Sequence, residues 1–178
     1  MQTGILKGIA TRPKARAEMI QSNSAQVSVD MGIVGDYRGT KVKRRQVAVL
    51  ASEKWVSACN DLKAKLSWTE RRANLLVEGL NLKDSTGQHL QIGDVILEIT
   101  GETTPCARMD EVKTGLMSAL TTDWRGGVLC QVIQSGKITV GNSITSEKEA
   151  YTSHNTYRLN IDEIIVRDFI KVDKLSIL

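Results

Sequence analysis

The residues with the widest chemical reach in this chain are three cysteines, two histidines and several clusters of arginine. Cys106 is the most suggestive of them. It follows Pro105 directly, and Pro105 fixes its own φ while pushing Thr104 towards an extended conformation, so the thiol sits just beyond a stiff strand end. Arg108, two residues on, is near enough in sequence to stabilise a thiolate where the two side chains converge. A cysteine so placed has three readings: a soft-metal ligand, a sulfur carrier, or a small buried hydrophobe, the last being the ordinary fate of a lone cysteine. Cys59 falls on the apolar face of a helical pattern, and Cys130 lies inside the apolar run VLCQVIQ, so both read as core. An odd number of cysteines without a CxxC pair argues against a disulfide framework and against a zinc site, and points to the reducing cytoplasm. Basic residues gather at Arg12–Arg16, at Arg38–Arg45 and in the Glu-Arg-Arg of 70–72. Such clusters are usually solvated loops; converging on one cleft, they favour an anion such as phosphate.

The elements that must position these residues are mostly strands. The central stretch, Ile92–Arg108, reads as a buried strand through Val95, Leu97 and Ile99 that turns at Gly101 and delivers Cys106. Further strands are expected at Gly4–Thr11, Gln26–Asp30, Gln46–Ala51, Leu75–Val77, Val128–Gln134 and Lys137–Val140, with a polar basic loop at Tyr37–Arg44 and a surface connection over Asn81–Leu90. Two amphipathic helices interrupt them. Ser52–Leu66, with Ser52 as N-cap, carries Trp55, Val56, Cys59, Leu62 and Leu66 on one face, and Asp110–Leu120 carries Val112, Leu116 and Leu120. Many short strands, glycine turns and only two clear helices predict a mainly β fold, a β-barrel with helical insertions over 1–147. Residues 148–178 form an apolar tail that packs either on the barrel or on a partner subunit, which would make a homodimer.

Composition narrows the field. The chain has 178 residues, 41% hydrophobic and 25% charged, as an ordinary soluble domain does. No apolar run approaches the ~20 residues of a membrane span, and the first residues lack the apolar core of a signal peptide. Nucleic acid is not the expected partner: the net charge is only +4, and 4% aromatic residues leave little for base stacking.

Taken in order, several short elements resemble the MOSC domain, named for the C-terminal domain of molybdenum-cofactor sulfurases. They are Gly32-Ile33-Val34-Gly35-Asp36, Arg45-Gln46-Val47, Arg72-Ala73-Asn74-Leu75 with Glu78-Gly79, Ile92-Gly93-Asp94, Leu97-Glu98-Ile99-Thr100-Gly101, Pro105-Cys106, Gly126-Gly127-Val128 with Val132, and Gly136-Lys137-Ile138. Each is weak alone; the ordered set over roughly 4–146 is specific. The resemblance implies a strand-rich barrel similar to the pyruvate-kinase type. It also implies that Cys106 is the family's characteristic cysteine, which ligates the molybdenum of a pterin cofactor or carries sulfur as a persulfide. A thiolate suits both roles, being a soft ligand and a nucleophile.

By the same resemblance, Arg72 and Asn74 are the family's Arg-x-Asn element and would hold the phosphate or pterin of the molybdenum cofactor. Arg45 is a second anion ligand, and Arg108 would tune the thiolate. Gly126-Gly127 suits either close approach of backbone to a ligand or a plain tight turn. Two positions depart from the family pattern: Tyr37-Arg38 stand where a histidine is common after Gly-Asp, and Gly141-Asn142 replace a late Gly-Asp.

The function expected first is a molybdenum-cofactor oxidoreductase that reduces N-hydroxylated compounds. A separate reductase would feed it, because no flavin, haem or iron–sulfur motif is present. The alternatives are a sulfur carrier charged by a cysteine desulfurase and a cofactor-free barrel for an anion or nucleic acid.

Overall fold

The computed structural model describes residues 1–147; the expectations for the tail at 148–178, including the dimer, lie outside them. Alternating apolar residues become strands whose inner faces fill one core. In chain order these are β1 (Gln2–Thr11), β2 (Ile20–Ser22), β3 (Ser24–Ser28), β4 (Gly32–Ile33), β5 (Val47–Ala51), β6 (Leu75–Glu78), β7 (His89–Ile92), β8 (Val95–Glu102), β9 (Val128–Gln134), β10 (Gly136–Thr139) and β11 (Ser143–Glu147). The helices are α1 (Ser52–Asp61), α2 (Arg108–Val112) and α3 (Leu116–Thr121).

Neighbouring strands run β1, β11, β7, β8, β9, β5, β6 and back to β1, so the sheet closes into a barrel, with β2 hanging from the edge of β1. Closure is the pairing of Gln2–Ile5 with Ser143–Ser146. The barrel pairs are antiparallel except β5 with β6, and that parallel step requires the crossover that α1 supplies. Strands β3, β4 and β10 make a separate small sheet.

Leu6, Ile9, Val49, Val77, Leu97, Ile99, Cys130 and Val132 are among the side chains that fill the barrel. A second apolar layer lies outside it, where Trp55, Ala58 and Cys59 of α1 and Leu116 and Leu120 of α3 cover Ala48 and Leu50. This explains the unbroken apolar run of β5: all its residues are buried, one face inside the barrel and the other under the helices.

The helices are shorter than their periodicity predicted. Ser52 is the first residue of α1 rather than its cap, and the cap is Ala51. The helix stops at Asp61 because Lys63 turns left-handed, with Ala64 N–H bonding back to the Cys59 carbonyl. Leu62 and Leu66 still pack on the outer layer, so the apolar stripe outlives the helix. The helix expected over Asp110–Leu120 is broken in two by Gly115 at φ +88, and the Asp110 carboxylate caps Met117 N–H at 2.9 Å across the break. Likewise β8 does not turn at Gly101: it passes through a bulge between Ile99 and Gly101 and continues to Glu102. The connection expected over Asn81–Leu90 ends in a strand, β7, at His89.

Candidate functional site

Beyond β8 the chain alternates once more. Thr103 is buried, Thr104 exposed, Pro105 buried and Cys106 exposed, after which α2 begins, with Met109 N–H bonding the Cys106 carbonyl at 2.8 Å. Exposure separates the cysteines. Cys59 and Cys130 are buried, as their spacing predicted, and burial pushes both thiols up in pKa. Cys106 is not the buried hydrophobe that a lone cysteine usually is.

The loop carrying Cys106 is fixed by Arg71, which the sequence reading passed over. Arg71 is 7% exposed and its guanidinium forks onto two carbonyls, Nε to Gly126 and Nη2 to Thr103, each at 2.9 Å. Thr103 N–H bonds the Gly127 carbonyl at 2.8 Å and completes the clamp. A Cβ on Gly126 would stand 2.5 Å from the Thr103 carbonyl, so the close approach that Gly126 permits is that of the cysteine loop itself. Burial pulls the Arg71 pKa down to about 10, as does the charge of Arg38, while Cys106 and Glu102 oppose the shift. Arg71 is therefore the guanidinium bonded to the segment that leads into Cys106.

Arg72 points elsewhere because its own backbone is left-handed, at φ +62. Its Nη2 donates to the Ala17 carbonyl at 3.0 Å, and its carbonyl accepts from Arg38 Nη2 at 3.1 Å. A cavity of about 430 Å³ opens there; its wall includes Arg72 and Arg108, which the structure brings together, with Arg16, Glu18, Glu70 and Glu111, but not Cys106.

Asn74 is not in that wall. It is fully buried and spends its amide inside the protein: Oδ1 accepts from Ala48 N–H at 3.0 Å, and Nδ2 donates to the Ala10 carbonyl at 3.2 Å and to Asp36 Oδ2 at 3.0 Å. Both amide protons are used, so Asn74 stitches β1 to β5 and anchors Asp36, leaving no donor for a ligand. Asp36, buried, also accepts from the backbone N–H of Arg12 and of Arg38 at 3.1 and 2.9 Å. It shapes the turn and orients the arginines around it.

Those arginines form one electrostatic cluster. Burial lowers the Arg12 pKa to about 10, helped by the charges of Arg38, Arg72 and Arg108 and opposed by Asp36. Arg38 is lowered by burial and by Arg45 and Arg72, against the pull of Asp36. Arg38 thus brings a guanidinium to the stretch where a histidine was expected. Arg45, at the end of the 3₁₀ turn Lys43–Arg45, is exposed and contributes its field from the rim. No ion pair among the described residues involves Arg12, Arg38, Arg45, Arg71, Arg72 or Arg108. Of the buried side-chain atoms left without a partner there, Arg12 Nε, Arg72 Nε and Thr103 Oγ1 belong to this region. Two of these arginines thus hold a buried N–H without a partner, and Asp36 is the acid whose charge opposes Arg12 and Arg38. The other departure is structural: Asn142 Oδ1 accepts Thr139 N–H at 2.7 Å and closes the turn between β10 and β11, with Gly141 at φ +95.

A closed barrel with one exposed, clamped cysteine, and a cluster of arginines that make no ion pair, defines the class: a small β-barrel protein with a single exposed thiol. The family follows from comparison: the MOSC domain model matches residues 36–145, most of the chain, and the protein belongs to the MOSC family. A second model, the polysaccharide biosynthesis protein C-terminal family, matches only residues 138–168. Solved structures agree on the fold. The YuaD protein from Bacillus subtilis is similar with a TM-score of 0.66 at 19% identity, over 81% of this chain and 97% of that one. YiiM from Escherichia coli gives 0.63 at 14% identity over 84% and 71%, and YiiM from Geobacillus stearothermophilus 0.61 at 15% over 84% and 76%. No curated protein matches the chain in sequence.

The MOSC domain is linked to molybdenum-cofactor binding. Among the described residues no group of three or more His, Cys, Asp or Glu side chains is placed to hold a bare ion, and no helix is long and apolar enough to cross a membrane. One exposed cysteine sulfur suits a soft metal that arrives with its own chelating ligands, and the orphaned arginine nitrogens suit a phosphate. On both counts the residues present fit a pterin-borne molybdenum.

Proposed function

We propose that this protein binds the molybdenum cofactor and works as an oxidoreductase on N-hydroxylated compounds. The observation that supports this reading is an exposed Cys106 in a protein that also holds a cluster of arginines making no ion pair, two of them with an unpartnered N–H. Cys106 is the protein's ligand to the metal. Arg72, Arg12 and Arg38 hold the cofactor's phosphate, with Arg45 and Arg108 adding field at the rim. Asn74 serves by keeping Asp36 and the strand below Arg72 in place. The cofactor, when bound, would supply two-electron redox chemistry, and the chain's own residues would bind and orient it. Electrons come from a separate reductase protein. The three unpaired thiols fit a reducing cytoplasm.

Elemental analysis for molybdenum, with pterin fluorescence, on protein from a cofactor-making host tests the reading. Near-stoichiometric molybdenum in wild type and its loss in Cys106→Ser are expected; equal metal in the variant refutes the ligand role.

The buried Arg71 guanidinium, bonded to the Thr103 carbonyl that leads into the exposed Cys106, supports a second reading, a sulfur carrier. The Cys106 thiolate attacks the terminal sulfur of a desulfurase persulfide, the new S–S bond forms on Cys106, and the donor leaves as its own thiolate. Cyanide-labile sulfur on Cys106 without molybdenum would decide for this reading.

A further inference from the structure

We propose that Arg71 is the positioning residue of Cys106: its fork sets the height of the cysteine loop, and its charge, left without a carboxylate, draws anionic groups to the thiol. The inference rests on the reading that Cys106 is the reactive residue, and it is independent of which ligand Cys106 takes.

A buried arginine normally faces a carboxylate, because desolvating the charge is costly. Arg71 has only the carbonyls of Thr103 and Gly126, the first leading into the cysteine loop and the second ending the turn before β9. Its contacts therefore span the two chain segments that define where Cys106 stands. Thr103 and Pro105 point inward and Cys106 outward, so a shift of the Thr103 carbonyl passes directly to the thiol. Neutral donors would satisfy two carbonyls equally well. The charge is thereby anchored to the segment that delivers Cys106, three residues beyond the Thr103 carbonyl. Arg72 cannot substitute, since its left-handed backbone sends its side chain to Ala17.

The test uses the full chain from a host without pterin synthesis. Cys106 is titrated with a dianionic aromatic disulfide and with an uncharged one, at one pH and ionic strength. Cys59 and Cys130 are buried, so each rate reports Cys106. In the exchange the Cys106 sulfur bonds one reagent sulfur, the reagent S–S bond breaks, and the other half leaves as thiolate while the thiol proton passes to buffer. The ratio of anionic to neutral rates is the readout, because a purely structural change moves both rates together. Arg71→Met is expected to lower the ratio about five-fold, the effect of one nearby charge at intermediate dielectric. Arg71→Lys is expected to keep it within about two-fold, and Gly126→Ala, which displaces the loop without changing charge, to alter both rates in parallel. An unchanged ratio in Arg71→Met, or a ratio in Arg71→Lys as low as in Arg71→Met, overturns the proposal. If Arg71→Met does not fold, Arg71→Gln, which keeps amide donors for the two carbonyls and drops the charge, carries the test: its ratio must fall, and an unchanged ratio overturns the proposal. None of these rates involves molybdenum, so failure to load the cofactor and failure of this inference give different results.

Discussion

Replacing Asn74 by alanine separates the architecture of the site from its chemistry. The truncation strands two partners in a dry interior, Ala48 N–H and the Ala10 carbonyl, and takes one of two donors from Asp36 Oδ2. Asp36 keeps its two backbone donors, whereas the other two groups lose this side chain altogether. At about 1–3 kcal/mol for each buried polar group left unpaired, and with partial relief by water, the loss is about 3–5 kcal/mol. That is a large part of the ~5–15 kcal/mol that holds a domain of this size folded, and it lowers the melting temperature by roughly 10 °C. Asn74→Asp does no better, since a carboxylate has no donor for Ala10 and faces Asp36. Urea unfolding reads the effect as a lower midpoint at unchanged slope. Molybdenum per folded molecule, measured alongside, is expected to hold. Stability within about 1 kcal/mol of wild type together with loss of metal would refute the argument, because Asn74 would then be a ligand and not a stitch.

Two further predictions follow from the same charges and bonds. Inorganic phosphate should raise the melting temperature of wild type, by about 2.7 kcal/mol of stability at a hundredfold excess over its Kd, and Arg72→Gln should lose most of that gain; an equal rise with chloride at matched ionic strength would refute a seat for oxyanions. Glu53 offers a pH handle: burial alone would raise its pKa, but hydrogen bonds, led by one from Gly79 N–H at 2.7 Å, hold it below 4.5. A carboxylate depressed in the folded state stabilises above its unfolded pKa and loses that contribution as pH falls through the folded value. The stability gap between wild type and Glu53→Gln should therefore be full at about pH 6 and close below the ordinary carboxylate range. A gap independent of pH, by urea midpoint, would remove the carboxylate from the account.

How far the sequence could be read depended on whether local chemistry or backbone hand decided the outcome. Pro105 announces a rigid approach to Cys106, and alternation announces the strands around it; both are local and both were legible. Burial of Cys59 and Cys130 was legible for the same reason. The division of labour between Arg71 and Arg72 was not, since two adjacent arginines look alike on paper and only the left-handed turn at Arg72 sends them opposite ways. Asn74 was readable as an important polar residue but not as a buried one: its partners lie at Ala10, Asp36 and Ala48, far off in sequence, and only closure of the barrel brings them to it. Gly115 could have been taken as a break in the second helix, but the apolar period of Val112, Leu116 and Leu120 runs straight across it.

The seam of the barrel has a consequence for how the protein is made. β1 pairs with β6 on one side and with β11 on the other, and β11 also completes the free edge of β7. The residues that form the site, from Arg12 to Gly127, all leave the ribosome before β11 does. Until Ser143–Glu147 emerge, two strand edges stand open beside a core that is already hydrophobic, and this is the state most prone to pair with another chain. Because the closing contact joins Gln2 to Ser146, almost the full span of the described chain, it is the slowest to find by diffusion of an unfolded polypeptide. Closing the barrel is therefore the chain's most hazardous step, and β11, which holds no residue of the site, sets how long those edges stand open.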